Sequence, residues 1–203
     1  LKRWALWQDG AIGELSLEPV ERFGLRIMSV GFLLAEDQPF EWPAQMVEFA
    51  VRQLLHEVEW GGLDYLVVDL PPGTAEVQQQ VVRLTPLAGA VLVVGPQDVA
   101  HLDAKKVLRM LEDARVPVLG AIENMSGLVC PHCGERVDVF PPVPDERSIW
   151  SLGVAPLGTL PLDPALAAAG DHGRPLMLAD PEGARASDFR QIAARIADRL
   201  ERT

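Results

Sequence analysis

The chain has 203 residues, of which 48% are hydrophobic and 23% charged, and its formal net charge is -11. This length and composition predict a packed α/β domain and exclude a chain that is disordered over most of its length. A net negative charge is repelled by phosphate backbones and anionic lipids, so we expect neither nucleic acid nor a membrane surface as the main partner. The longest uncharged apolar run, "LAGAVLVVG", is about half as long as a membrane-spanning helix, and no signal peptide opens the chain. We therefore expect a cytoplasmic protein.

Strands and helices are predicted to alternate from residue 25 onward. Apolar, β-rich runs predict strands at residues 25–34, 64–70, 89–95, 116–124 and 155–161. Helical spacing of apolar residues predicts helices at residues 43–58, 75–84, 99–114 and 183–202, the third of them capped by Asp98. This alternation is typical of βαβ units. We predict an α/β fold with a doubly wound, mainly parallel sheet over residues 25–203, and leave residues 1–24 unassigned.

The carboxyl ends of the predicted strands are where ligands bind in such sheets. In "LVVDLPPGT", Asp69 ends a predicted buried strand and Gly73 offers a free backbone amide. This is the layout of a Walker B strand, in which the Asp holds Mg²⁺ through water and the Gly N–H faces a terminal phosphate. A strand end followed by a Pro-Pro-Gly turn explains the same residues. Asn124, in "IENM", could pair its amide with a purine edge, or form a turn or cap a helix.

The only two cysteines, Cys130 and Cys133, lie in "VCPHCG". Gly134 favours a metal knuckle, because glycine lets the backbone amides turn toward sulfur. A redox CxxC normally opens a helix, whereas "RVDVF" after this motif indicates extended chain, although Pro-His pairs also occur in strong thiol oxidants. Metal binding is therefore favoured, and redox chemistry and inert thiols stay open.

Two cysteines are half of the four ligands that an iron–sulfur cluster or a structural zinc normally takes. His132 is a candidate third ligand, but we expect its ring to face solvent. The simplest complete site is a symmetric homodimer in which each chain gives Cys130 and Cys133 to one metal centre on the two-fold axis.

Four segments carry a likeness to a known family: "LDYLVVDLPPGTAEVQ", "GAVLVVGPQDVAHLDAKKVLRML", "VPVLGAIENMSGLVCPHCGE" and "PLGTLPLDPAL". In order and spacing they resemble the Mrp/ApbC family of iron–sulfur cluster carrier proteins, which are MinD-like deviant Walker P-loop ATPases. The resemblance implies a P-loop NTPase fold, a homodimer, ATP and Mg²⁺ binding, and a [4Fe-4S] cluster shared between two subunits. It also implies delivery of that cluster to apo iron–sulfur proteins.

Carried over by position, the resemblance assigns roles to seven residues. It implies that Cys130 and Cys133 are the cluster ligands and that Asp69 is the Walker B carboxylate. The implied nucleotide contacts are Gly73 beside the γ-phosphate, Asn124 at the adenine, and Pro161 and Asp163 in the loop "LPLDP" that closes over the base.

The sequence departs from the family at the nucleotide side. A Walker A loop of the type KGGVGKST does not occur in it, "WPAQM" stands where the family has Trp-Arg-Gly-Pro-Met, and "PPGTAE" replaces PPGTGD. Without the glycine-rich loop and its lysines, most phosphate contacts are missing. We therefore expect an N-terminally incomplete P-loop domain in which ATP hydrolysis by this chain alone is absent or very weak. A partial chain and a stand-alone cluster scaffold both fit.

The favoured function is an iron–sulfur cluster carrier or scaffold. The alternative is a non-catalytic interaction subunit that is stapled by zinc and partners a full-length paralogue. A thiol oxidoreductase using "CPHC" ranks last, because no thioredoxin-like pattern precedes the motif.

Overall fold

The computed structural model describes residues 17–33, 44–73, 76–130 and 132–202. The chain divides into two compact units, Leu1–Pro86 and Leu87–Thr203. The helices are Ala44–His56 (α1), Glu76–Leu84 (α2), Asp98–Asp113 (α3), Pro164–Asp171 (α4), Leu176–Ala179 (α5) and Ala184–Leu200 (α6). The strands are Val20–Arg22 (β1), Leu25–Ile27 (β2), Ala90–Val94 (β3), Val118–Val129 (β4), Arg136–Val137 (β5) and Pro156–Leu162 (β6). Short 3₁₀-helices span Val30–Leu33, Asp145–Arg147 and Ile149–Leu152.

The first unit contains a hairpin and two packed helices. β1 and β2 pair antiparallel through a turn at Phe23 and Gly24, which both have positive φ. α1 packs against α2, with Ala50, Val51 and Val81 buried between apolar neighbours. The prediction of one strand over residues 25–34 is therefore only partly right, since β2 ends at Ile27 and a 3₁₀-helix follows.

Residues 64–70 form no strand, so the prediction of a buried strand there is wrong. Three of their apolar side chains, Tyr65, Leu66 and Val67, are exposed, and Val67 retains 87% of its accessible surface. A strand becomes stable when its backbone N–H and C=O groups pair with a neighbouring strand. Within the described residues, no strand hydrogen-bonds to this segment. The apolar pattern is that of a buried strand, but the pairing partner that burial requires is not among these residues.

The second unit is built on a sheet centred on β4. β3 pairs with one side of β4 in parallel, from Ala90 opposite Val118 to Val94 opposite Glu123. β6 pairs in parallel with the other side, and β5 adds antiparallel beside the end of β4. Three predicted strands, at residues 89–95, 116–124 and 155–161, are thus confirmed as β3, β4 and β6. The sheet is mainly parallel, as predicted.

Helices cover both faces of this sheet. Gly158 on β6 faces α6, since an added Cβ there would lie 2.6 Å from the side chain of Ile192. Across the sheet, Val93 shares the row and the face of Gly158, whereas Leu92 and Val94 point to the other face, where they are buried and α3 packs on β3. The doubly wound arrangement places the carboxyl ends of β3, β4 and β6 at one edge, where the candidate site lies.

None of the helices over the described parts of the chain combines the length and the apolar character that crossing a bilayer requires.

Candidate functional site

A bulge near the end of β4 sets the direction of the chain that leads to the cysteines. Asn124 lies opposite Leu160 of β6, but Leu128 lies opposite Leu162, so β4 advances four residues while β6 advances two. The extra residues are accommodated by positive φ angles of 60° at Met125 and 101° at Gly127. A bulge of this kind redirects a strand at the rim of a sheet.

The two cysteines lie on a tight turn that directly follows β4. The backbone N–H of Cys130 donates to the carbonyl of Glu135 at 2.8 Å, and the N–H of Gly134 donates to the carbonyl of Cys130 at 2.9 Å. Gly134 has a φ of 76°, which is readily adopted only by glycine. The chain then returns as β5, with Arg136 opposite Val129. No helix follows the motif, as expected for a metal knuckle.

Both cysteines are free thiols, with Cys130 partly exposed and Cys133 exposed. Hydrogen bonds from the backbone N–H groups of Cys133 and His132 lower the pKa of the Cys130 thiol below its ordinary value. These donors favour the thiolate, which is the form that binds metal. The turn thus carries one thiol with a lowered pKa and a second, exposed thiol three residues later.

The turn supplies two sulfur ligands and no third protein ligand within the described part of the chain. No group of three or more His, Cys, Asp or Glu side chains that could hold a metal ion occurs in that part. His132 is exposed, as the sequence predicted. An iron–sulfur cluster or a structural zinc normally takes four ligands, so the half-site that the sequence indicates stays a prediction.

Asn124 on β4, Pro161 on β6 and Asp163 directly after β6 lie at the same edge of the sheet. The side-chain acceptors of Asn124 and Asp163 are used locally: Asn124 Oδ1 accepts the N–H of Met125 at 3.0 Å, and Asp163 Oδ1 accepts the N–H of Ala165 at 2.9 Å. Asp163 is thereby the N-cap of α4. A nucleotide role for these residues, which the resemblance implies, stays a prediction.

Asp69 and Gly73 belong to the first unit, whereas the cysteines belong to the second. Both residues are exposed, and Gly73 has a φ of 90° in its turn. Gln78 of α2, itself 2% exposed, donates its side-chain amide to the carbonyl of Pro71 and so holds this turn in place. The Walker B role of Asp69 stays a prediction, although the buried strand on which it was based does not form.

Three polar side chains of α3 hold the segment that follows the knuckle, and sequence reasoning missed them. Asp98 pairs with Arg147 at 2.6 Å, His101 Nδ1 accepts the N–H of Ile149 at 3.2 Å, and Lys105 donates to the carbonyl of Glu146 at 3.0 Å. The positions 98, 101 and 105 fall on one helical face, which was the available signal. The predicted capping role of Asp98 is wrong, since Gln97 is the N-cap and makes no side-chain capping bond.

The chain is similar in sequence to a described protein family and to named relatives. Residues 8–197 match the family described as "ParA: NUBPL iron-transfer P-loop NTPase". The chain is 41% identical over 194 residues to an iron–sulfur cluster carrier protein of Synechocystis sp., covering 95% of this chain and 55% of that protein. It is 39% identical over 185 residues to the iron–sulfur cluster transfer protein NUBPL of Mus musculus, covering 91% of this chain and 58% of that protein.

A similar solved structure is the nucleotide-binding protein of Archaeoglobus fulgidus in complex with ADP, with a TM-score of 0.66 and 32% identity. The alignment covers 85% of this chain and 66% of that one. The chain spans little more than half the length of the two curated relatives, the Synechocystis carrier protein and mouse NUBPL.

Proposed function

This chain belongs to the NUBPL iron-transfer family of P-loop NTPases, and we propose that it is an iron–sulfur cluster carrier whose cargo is held by Cys130 and Cys133. The observation that carries the proposal is the turn after β4, which presents two free thiols with hydrogen bonds that favour thiolate at Cys130. Thiolates are the usual protein ligands of iron–sulfur clusters. The names of the relatives, which are cluster carrier and transfer proteins, support the same function.

The cargo in this proposal is a [4Fe-4S] cluster that bridges two copies of the chain. Each copy supplies Cys130 and Cys133, so the two-fold axis of a homodimer completes four thiolate ligands. The absence of a third donor group in the described residues supports a site completed from outside the chain. The recipients are apo iron–sulfur proteins whose cysteines replace these ligands one by one.

The exposed position of the turn supports transfer rather than storage. Cys133 is exposed and Cys130 is partly exposed, so an acceptor thiol can approach the cluster without prior unfolding of the chain. The backbone bonds that close the turn keep the two sulfurs together while the ligands exchange. The turn thus contributes orientation and thiolate character to the transfer.

Nucleotide binding enters the proposal as a weak, family-derived property. The resemblance gives Asp69 and Gly73 as candidates in the first unit and, separately, Asn124, Pro161 and Asp163 as candidates in the second, and hydrolysis would be weak or absent in this chain alone. The local hydrogen bonds of Asn124 and Asp163 would have to open or be shared for their side chains to contact a base. The sequence holds no KGGVGKST loop to bind the phosphates.

Anaerobic reconstitution with iron and sulfide tests the carrier function. We expect a brown protein with visible charge-transfer absorbance, about two irons per chain, and a shift to dimer on loading. Cys130→Ser and Cys133→Ser should each abolish loading, whereas His132→Ala, the matched control, should load normally. A colourless protein that binds zinc with the same cysteines would overturn the proposal and favour a zinc-stapled subunit.

A further inference from the structure

Glu135 contacts the cysteine turn at both of its ends. Its backbone carbonyl accepts the N–H of Cys130 at 2.8 Å, which closes the turn. Its side-chain carboxylate oxygen Oε2 lies 3.9 Å from Cys133 Sγ, within the range of a thiol hydrogen bond. The first contact belongs to the backbone and any residue can make it, whereas the second places a specific negative charge beside a proposed cluster ligand.

The positive charge nearest in sequence does not cancel the carboxylate of Glu135. Arg136 is the only lysine or arginine between Val116 and Glu146. Its Nε is paired with Asp138 Oδ1 at 3.3 Å. The stretch from Cys130 to Asp138 therefore carries an excess of negative charge, in a chain whose formal net charge is already -11.

The carboxylate interacts differently with the empty and the loaded turn. In the empty turn, the thiol of Cys133 donates to Glu135, which is an attractive contact. In the loaded turn, the sulfur carries negative charge as part of a cluster whose four thiolates outweigh the positive iron–sulfide core, so the same contact becomes repulsive. A group that favours one of two states shifts the balance toward that state by its differential interaction.

We propose that Glu135 is a positioning residue for cargo release, whose charge destabilises the loaded turn and speeds transfer of the cluster to an acceptor. This inference rests on the proposed carrier function and adds a residue that sets how tightly the cargo is held. A carrier must release the cluster it binds, and a fixed charge beside Cys133 weakens the bond between this sulfur and iron without removing the ligand.

The transfer step is a ligand exchange without electron transfer. The iron–sulfur bond to Cys133 breaks as a bond forms between the same iron and an acceptor cysteine sulfur, and the proton lost by the acceptor thiol passes to Cys133. The restored Cys133 thiol then donates to Glu135 again, which opposes the reverse step. The remaining ligands exchange in the same way, and the oxidation state of the cluster does not change.

The test compares Glu135→Gln, which keeps shape and removes charge, with wild type and with Glu182→Gln. Glu182 is an exposed carboxylate before α6, so its variant changes the net charge equally away from the turn. Coulomb's law at about 4 Å in water predicts that E135Q transfers its cluster about fivefold more slowly to a synthetic four-cysteine acceptor peptide. It should also lose iron about fivefold more slowly to a chelator, while E182Q matches wild type.

Salt separates a charge effect from a structural one. Raising the ionic strength from about 0.05 M to about 0.5 M should bring the rates of wild type and E135Q together, because exposed charges are screened. Glu135→Asp, which retains the charge, should stay close to wild type. Equal rates at low salt, a faster E135Q, or a slow E135Q that salt does not affect would each overturn the role of Glu135.

Failure of the carrier function gives a different result. If wild type, E135Q and E182Q all fail to take up iron and sulfide, the proposed function is overturned. If wild type and E182Q load but E135Q does not, the carrier function stands and the inference is wrong, because Glu135 would then be needed for holding the cluster.

Discussion

Substitution of Gly127 by alanine tests whether the bulge of β4 sets the geometry of the cysteine turn. Gly127 has a φ of 101°, and an added Cβ would lie 3.1 Å from the carbonyl oxygen of Val137 on β5. The backbone strain costs about 1–3 kcal/mol and the close contact about 1 kcal/mol more if β5 stays paired. If β5 detaches instead, the loss in the free energy of unfolding is smaller, but the hydrogen bond from the Cys130 N–H is exposed to solvent.

Two glycines of the same unit provide matched controls for Gly127→Ala. At Gly134 the φ is 76° but nothing lies within 4 Å of an added Cβ, so Gly134→Ala has the strain without the contact. Gly170, inside α4, has neither a positive φ nor a close contact for an added Cβ. Gly170→Ala should therefore stabilise the chain by about 0.5–1 kcal/mol.

Urea unfolding measures the loss in the free energy of unfolding of the whole unit, and amide hydrogen exchange at Cys130 measures local opening of the cysteine turn. If β5 stays paired, we expect Gly127→Ala to lose more unfolding free energy than Gly134→Ala or Gly170→Ala. If β5 detaches, we expect the Cys130 amide of Gly127→Ala to exchange at least tenfold faster than in wild type. In both cases Gly127→Ala should load less iron. If Gly127→Ala behaves like Gly134→Ala in both measurements, the contact with Val137 is not a constraint and the reasoning fails.

Three further predictions concern the buried histidine of α3, the packing of α6 on the sheet and the binding of Mg-ATP. Burial lowers the pKa of His101, so the unfolded chain takes up a proton more readily than the folded chain. The free energy of unfolding should therefore be highest above about pH 6.5 and fall as the pH decreases. His101→Gln can still accept the Ile149 N–H and should flatten this pH dependence in urea titrations, whereas the exposed control His172→Gln should not. A pH dependence that persists in His101→Gln would contradict this assignment. Ile192→Ala should cost about 2–4 kcal/mol in thermal unfolding, because the side chain is 6% exposed and packs on Gly158; a loss below about 1 kcal/mol would mean that α6 is loosely docked. Mg-ATP should bind weakly in calorimetry, and tight binding would show that the chain has phosphate ligands that the sequence does not reveal.

The strands and helices that the sequence predicts correctly are those whose partners lie close along the chain. β3, β4 and β6 follow from short apolar runs, and each pairs with a neighbour inside the second unit. α3 and α6 follow from apolar spacing at 3.6 residues per turn. The family inferred from the order and spacing of four motifs is also confirmed by the comparisons.

The segment at residues 64–70 shows why an apolar pattern alone does not determine a strand. The pattern describes which side chains favour burial, but a strand also needs backbone hydrogen bonds from a neighbour. Val67 is 87% exposed because the described residues offer no such neighbour. The predicted buried strand is wrong because the condition it lacks, a neighbouring strand, is not encoded in the local pattern.

The cysteine turn could be predicted from the sequence, whereas its surroundings could not, and the role of the two cysteines as ligands stays a prediction. Cys130, Cys133 and Gly134 follow from spacing and from the conformational freedom of glycine. The bulge at Met125 and Gly127 depends on how far β4 and β6 advance against each other, which no local pattern encodes. The contact between Glu135 and Cys133 likewise depends on a turn whose shape is set by two backbone hydrogen bonds.

The exposure of the cysteine turn is consistent with cargo that leaves. A resident structural zinc has four ligands from one chain, and its binding free energy, of the order of 10 kcal/mol or more, becomes part of the folding free energy. Here one chain offers two sulfurs on a turn outside the buried core, to which Leu157 and Ile149 belong. Under the proposed function, we therefore expect this unit to stay folded when the cluster leaves. Loading and release then reduce to a competition between thiolates, in which a charge such as that of Glu135 changes the outcome.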